Sequence, residues 1–103
     1  MHIVILITAP KKEEAKKISA RLLKDKLVAC VNIADRVESF FWWQGKVYNA
    51  AESLMVIKST KAKFNKIVKV VLSMHSYTVP EIIALPIIAG HKPYLKWIDE
   101  SIR

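Results

Sequence analysis

His75 and Glu81, six positions apart, are the pair in this chain best suited to chemistry. Between them runs Ser76-Tyr77-Thr78-Val79-Pro80, a turn-forming stretch short enough to bring an imidazole nitrogen and a carboxylate oxygen to one divalent ion. Two ligands leave most of a coordination shell empty, so water or another chain must supply the rest. The same residues have a structural reading, in which His75 closes a helix and Glu81 accepts from backbone amides or from Lys58. On residue types alone both readings stay open.

Other constellations that carry catalysis are absent. There is no Ser/His/Asp set, no H-E-x-x-H, no phosphate-cradling glycine loop and no dinucleotide fingerprint, so a non-enzymatic protein with no required cofactor is expected. The single cysteine, Cys30, excludes an intramolecular disulfide, and its neighbours Ala29 and Val31 favour packing over metal ligation. His2 and His91 have no partner nearby in sequence. The apolar run Ile3–Ile7 is too short to span a bilayer and follows no basic segment, which together with the lone thiol reads as a cytoplasmic protein with no membrane partner.

Periodicity gives the scaffold. Ile3 to Thr8 is a β-branched run ended by Ala9-Pro10, and Ile18, Leu22, Leu23 and Leu27 then recur at helical spacing over Lys11–Lys26. Val31, Ile33, Val37, Phe41 and Trp43 alternate with polar residues as one strand, Gln44-Gly45 makes a hairpin turn, and Lys46–Lys58 returns. Phe64, Ile67, Val68, Val71 and Leu72 mark a second helix between Thr60 and His75. Ile82–Ile88 is a fourth strand, placed at a sheet edge by Pro86, and Tyr94–Ile102 is a tail helix. The order βαββαβ plus a tail helix predicts one α+β domain over residues 1–103, ferredoxin-like, with two helices on one face of a four-stranded antiparallel sheet.

The hairpin cannot be covered by its own domain. Two strands of about 14 residues reach roughly 45 Å, against a radius of gyration near 13 Å for a chain of this size. Phe40, Phe41, Trp42 and Trp43 lie at its tip and would expose roughly 600–1,000 Å² if left wet. Adjacent rings point to both faces of the ribbon, so another protein surface must cover them. A further copy of the chain is the expected partner, docking against the open edge of the second strand.

A net charge of +8 raises a polyanion as partner. The lysines, however, avoid the apolar stripes of both helices, as on ordinary solvated faces. A ferredoxin-like RNA binder would need aromatics on the central strands, where this chain has Leu54, Met55 and Val56. Nucleic acid is therefore not the expected partner.

The whole chain resembles the CutA divalent-cation-tolerance family. The resemblance rests on Thr8-Ala9-Pro10, Cys30-Val31-Asn32-Ile33, Ser39, Trp43-Gln44-Gly45-Lys46, Glu52, Lys58, His75, Tyr77, Pro80-Glu81, Gly90, Tyr94-Leu95 and Trp97. It implies a small cytoplasmic homotrimer assembled through the long hairpin and linked to divalent-cation tolerance, and weak Cu²⁺ binding near His75 and Glu81, the pair read above from residue types, is the expected chemistry. It also places Glu52, Lys58, Tyr77, Tyr94 and Trp97 around an intersubunit cleft. The alternative function it implies is a scaffold or signalling module, similar to the trimeric PII proteins, that holds a small anion or a partner protein in that cleft. Phe41 stands where the family commonly has tyrosine, and Ser76 where it has proline, a change expected to loosen the turn that presents His75 and Tyr77.

Overall fold

Alternating isoleucines build the sheet. In β1 (His2–Ala9) the odd positions Ile3, Ile5, Ile7 and Ala9 are buried, and Ile5 and Ile7 stand opposite Ile57 and Met55 of β3 (Lys46–Thr60). The computed structural model describes residues 1–103. Helix α1 (Lys12–Lys24) lays Ala15, Ile18 and Leu22 on that face, and α2 (Phe64–Met74), entered through a 3₁₀ turn at Lys61–Lys63, adds Ile67 and Val71. These side chains form one core. Its polar members are satisfied internally, Ser19 by the Ala15 carbonyl and Ser59 by the Leu27 carbonyl.

The four strands run in the order β2-β3-β1-β4, every neighbouring pair antiparallel, which is the ferredoxin-like arrangement. Strand β4 (Ile82–Pro86) pairs with β1 alone, and Pro86 ends this edge strand opposite Ile3, where its missing N–H costs least. The strand stops two residues sooner than periodicity predicts, and Ile88 is 95% exposed. Helix α3 (Lys92–Ser101) takes Pro93 into its first turn and lies on the sheet face opposite α1 and α2. There Ile98 and Ile102 are buried outside the main core, and His2 Nε2 meets Asp99 Oδ1 at 2.9 Å.

Strand β2 (Cys30–Trp43) departs from the single alternation expected of it. Ala34 pairs with Leu54 and Val37 with Glu52, so Asp35 and Arg36 together oppose Ser53, a β-bulge of one extra residue. One extra residue exchanges the faces. Val31 and Ile33 stand opposite Ile57 and Met55, but beyond the bulge it is Phe40 and Trp42, opposite Asn49 and Val47, that continue that face. Val37, Phe41 and Trp43 pass to the other one. Arg36 absorbs the irregularity at φ 60°, a left-handed conformation that costs a non-glycine residue about 1–2 kcal/mol.

Beyond Ser53 strand β1 has ended, so Lys46–Glu52 and the facing part of β2 continue as a bare two-stranded ribbon, roughly 23 Å long. Gln44 at φ 51° and Gly45 at φ 75° turn it in the left-handed pair of a two-residue hairpin loop. The molecule is accordingly 44 Å long and only 26 by 22 Å across. Phe41 and Trp43 flank Tyr48, with ring centroids 6.4 and 5.3 Å away, yet Phe40 is 68% and Trp42 77% exposed.

Replacing Arg36 separates backbone strain from side-chain chemistry. Arg36→Gly should hold or raise stability, and Arg36→Val should fall below the glycine variant by about 1–2 kcal/mol in denaturant unfolding at fixed protein concentration.

Candidate functional site

The residues expected to do chemistry fall into two groups on this frame. Glu52 and Lys58, both assigned to one cleft, are six residues apart along β3, roughly 20 Å at strand spacing. Within one chain they do not meet.

The first group gathers where β1 stops. Glu14 lies in the first turn of α1, where the helix dipole favours a carboxylate. Helix α2 ends at His75, whose backbone turns extended and sends Ser76 and Tyr77 back toward α1 and β3. The His75 side chain is wholly buried. Its Nε2 lies 2.7 Å from the Thr8 carbonyl oxygen, and its Nδ1 is 3.0 Å from the Tyr77 amide nitrogen. A carbonyl can only accept and an amide N–H only donate, so the ring is neutral with its proton on Nε2. Both nitrogens are thereby engaged.

Glu14 stands behind the ring, with Oε2 3.4 Å from Nδ1. The same oxygen accepts from the Ser76 N–H at 3.1 Å and from the Ser76 hydroxyl at 3.0 Å. Tyr77 in turn donates its hydroxyl to Glu52 Oε2 at 2.8 Å, and Glu52 is 7% exposed. Burial above all, then the Glu52 hydrogen bond and the charges of Glu52 and Glu14, push the Tyr77 phenol up to about 12. The phenol therefore keeps its proton.

Beside Glu52 opens a recess of about 280 Å³. Lys11, Lys12 and Glu13 at the head of α1, Asp35 and Arg36 of the bulge, and Glu52 line it. Asp35 is held by the Ser53 hydroxyl at 2.8 Å, and the first turn of α1 has no side-chain cap.

The second group lies toward the other end of β3, beside α3. Lys58 Nζ donates to Asn32 Oδ1, and Cys30 Sγ lies 3.8 Å from the same oxygen. Tyr94 and Trp97 sit with ring centroids 5.4 Å apart, and the Tyr94 phenol is raised by burial first and by neighbouring Cys30 second. Three of the expected cleft residues, Lys58, Tyr94 and Trp97, belong to this group.

Glu81 is exposed and its carboxylate bonds to neither His75 nor Lys58, whose own partners are Thr8 and Asn32. The carboxylate beside His75 is Glu14 instead. No three His, Cys, Asp or Glu side chains converge on one point within the chain. Sequence reasoning passed over Glu14, Asp35 and Arg36, because a separation of 62 residues between Glu14 and Ser76 leaves no local signal. Ser76 does not loosen its turn. A proline there would have no N–H to give, whereas Ser76 ties the turn to α1 through two bonds.

Loss of two buried hydrogen bonds and a ring volume in His75→Ala should cost about 2–4 kcal/mol, and Ser76→Pro about 1–2 kcal/mol, in denaturant unfolding. The Tyr77 pKa in the folded chain lies above the 10.0 of a free tyrosine, so between pH 10 and about 12 the folded state holds an extra proton. Stability from this contact is complete below pH 10 and is lost as pH rises toward about 12. Absorbance titration of Tyr77→Phe should lack one late-ionising phenol, and its stability should decline less over that window.

Comparison with known proteins bears on this geometry. The profile of the CutA1 divalent ion tolerance protein family matches residues 3–101. A divalent-cation tolerance protein CutA of Archaeoglobus fulgidus is 51% identical over 102 residues, covering 99% of each chain. The chloroplastic protein CutA 1 of Oryza sativa is 43% identical over 101 residues, which are 98% of this chain and 57% of that protein. A solved structure described as the periplasmic divalent cation tolerance protein CutA from Archaeoglobus fulgidus superposes with a TM-score of 0.97 at 50% identity, over 100% of both chains.

Proposed function

The chain belongs to the CutA1 divalent ion tolerance family, and on that premise we propose that it serves divalent-cation tolerance as a non-enzymatic homotrimer that binds Cu²⁺ weakly. The ribbon tip supports the assembly. Phe40 at 68%, Trp42 at 77%, Trp43 at 56% and Val47 at 59% exposure form an apolar end that no other part of the chain can reach. Strand β2 is an open sheet edge running along it, so copies of the chain can bury the rings and pair the edge together. Three copies also offer the means to bring Lys58, Tyr94 and Trp97 of one subunit near Tyr77 and Glu52 of another.

His75 and Glu81 remain the proposed Cu²⁺ ligands, and the state of the ring gives the reason for weak binding. A metal at Nδ1 displaces the Tyr77 amide, and one at Nε2 displaces the Thr8 carbonyl. Either exchange costs about 1–3 kcal/mol, or roughly one to two decades of affinity. No helix is long and apolar enough to cross a membrane. A reducing, cytoplasmic setting is our reading for a chain with one free thiol.

A second reading, a scaffold that holds a small anion, draws on the recess at the bulge, where Lys11, Lys12 and Arg36 stand at an uncapped helix start, alongside Glu13, Asp35 and Glu52.

Light scattering should return the mass of three 11.8 kDa chains, and Trp42→Ser with Phe40→Ser should shift it toward one. A single-chain mass for the unmodified protein refutes the assembly. Calorimetric titration with Cu²⁺ should show uptake that His75→Ala or Glu81→Gln weakens about tenfold or more. Uptake indifferent to both variants removes these ligands, and a metabolite anion that raises Tm where Cu²⁺ does not favours the scaffold reading.

A further inference from the structure

The charge of this protein is segregated. Residues 10–29, α1 and its flanks, hold seven basic and three acidic side chains, and residues 60–76, the 3₁₀ turn and α2, hold four basic and none acidic. Everything else, including the ribbon, β4 and α3, holds six of each sign. The whole net charge of +8 therefore belongs to the two helices together with their flanking residues and the 3₁₀ turn. The fold sets those helices side by side on one face of the sheet. What reads along the chain as two separate solvated stripes becomes one helical layer with exposed lysines on both members.

These cations are not neutralised within the molecule. The ion pairs present are His2 with Asp99 and Arg21 with Asp25, and neither includes a lysine. Of the three carboxylates of the helical layer, Asp25 is held by Arg21 and Glu14 accepts from Ser76. Lys66 and Lys69 of α2 are exposed, as are Lys12, Lys16, Lys17 and Lys24 of α1. An unbalanced lysine surface repels itself and is relieved by any anion that spans it.

We infer that the α1–α2 face binds the phosphate backbone of double-stranded nucleic acid, without reading sequence. The face offers lysines as point charges, and its one arginine is already held by Asp25, so forked recognition of bases is lacking. Helix α1, with 13 residues, is roughly 20 Å long and spans the phosphates of about six base pairs. A lipid surface fits less well. Membrane-seeking helices present aromatic and aliphatic rows beside their lysines, but here the apolar rows of both helices are spent on the core and the exposed rings are on the ribbon. An acidic protein partner would need an apolar centre for its contact, and this face has only Leu23 and Leu72, one on each helix. The surface lies away from the ribbon tip, so self-assembly through the tip leaves it free.

The test is fluorescence anisotropy of the intact protein with a labelled random-sequence duplex between about 50 and 200 mM NaCl. Contact with about five phosphates gives a log–log salt slope near −4.5, a loss of affinity of roughly five-hundred-fold over that range. Lys66→Glu with Lys69→Glu should weaken binding at least tenfold, and Lys66→Gln with Lys69→Gln, which adds no repulsion, should weaken it less but measurably. Lys92→Glu with Lys96→Glu changes net charge equally on the balanced part of the molecule and should alter affinity less than twofold. Equal losses in the two glutamate variants overturn the assignment to this face. Absence of binding at about 50 mM NaCl, or affinity that ignores salt, overturns the inference outright. So does capture by phosphatidylserine vesicles under conditions where the duplex is not bound.

Discussion

A mismatch of lengths governs this molecule. Strand β3 has 15 residues and β1 has eight, so the sheet narrows abruptly where β1 ends at Ala9 and β3 continues past Ser53. At that step the chain must turn into α1, which puts Glu14 and the lysines of its first turn there. Helix α2 ends nearby, which delivers His75, Ser76 and Tyr77. The bulge at Asp35–Arg36 and the inward Glu52 occupy the remaining side. The recess, the buried imidazole and the raised phenol all exist because three strands become two at one place.

Much of this was legible from residue order. Period-two isoleucines and period-3.6 helices gave every element and the antiparallel order, because the same pattern that buries Ile5, Ile57 and Ile67 also dictates their local geometry. The exposed rings followed from strand length alone. The face exchange at Arg36 did not, since Val37, Phe41 and Trp43 keep perfect alternation with Val31 and Ile33 along the chain. Only pairing against Ser53 reveals the extra residue. Likewise His75 could be picked out by residue type, but the carboxylate beside it is Glu14, contributed by a helix more than sixty residues earlier. Tertiary proximity of that kind has no signature in local spacing. Belonging to the CutA1 family identifies the class of protein, and Ser76 ties its turn to α1 through both its amide and its hydroxyl.

The two faces of the sheet have been given unlike tasks. One is sealed by α1 and α2, and these helices with their flanks and the 3₁₀ turn hold all of the excess charge. The other is covered only in part, by α3 through Ile98 and Ile102, and leaves Ile83 and Leu85 of the edge strand about half exposed. Apolar surface and charge are thus directed away from each other, which lets association through one side leave the other in water.

Mechanically, the ribbon is a cantilever clamped at the bulge. A slight tilt at its root sweeps the tip through a far larger arc, and a tip gripped by neighbours holds the root still. Because Glu52 sits at that root, with Tyr77 fastened to it, the stiffness of the recess is inherited from whatever restrains the rings some twenty ångströms away. Loosening the far end would soften a pocket it never touches.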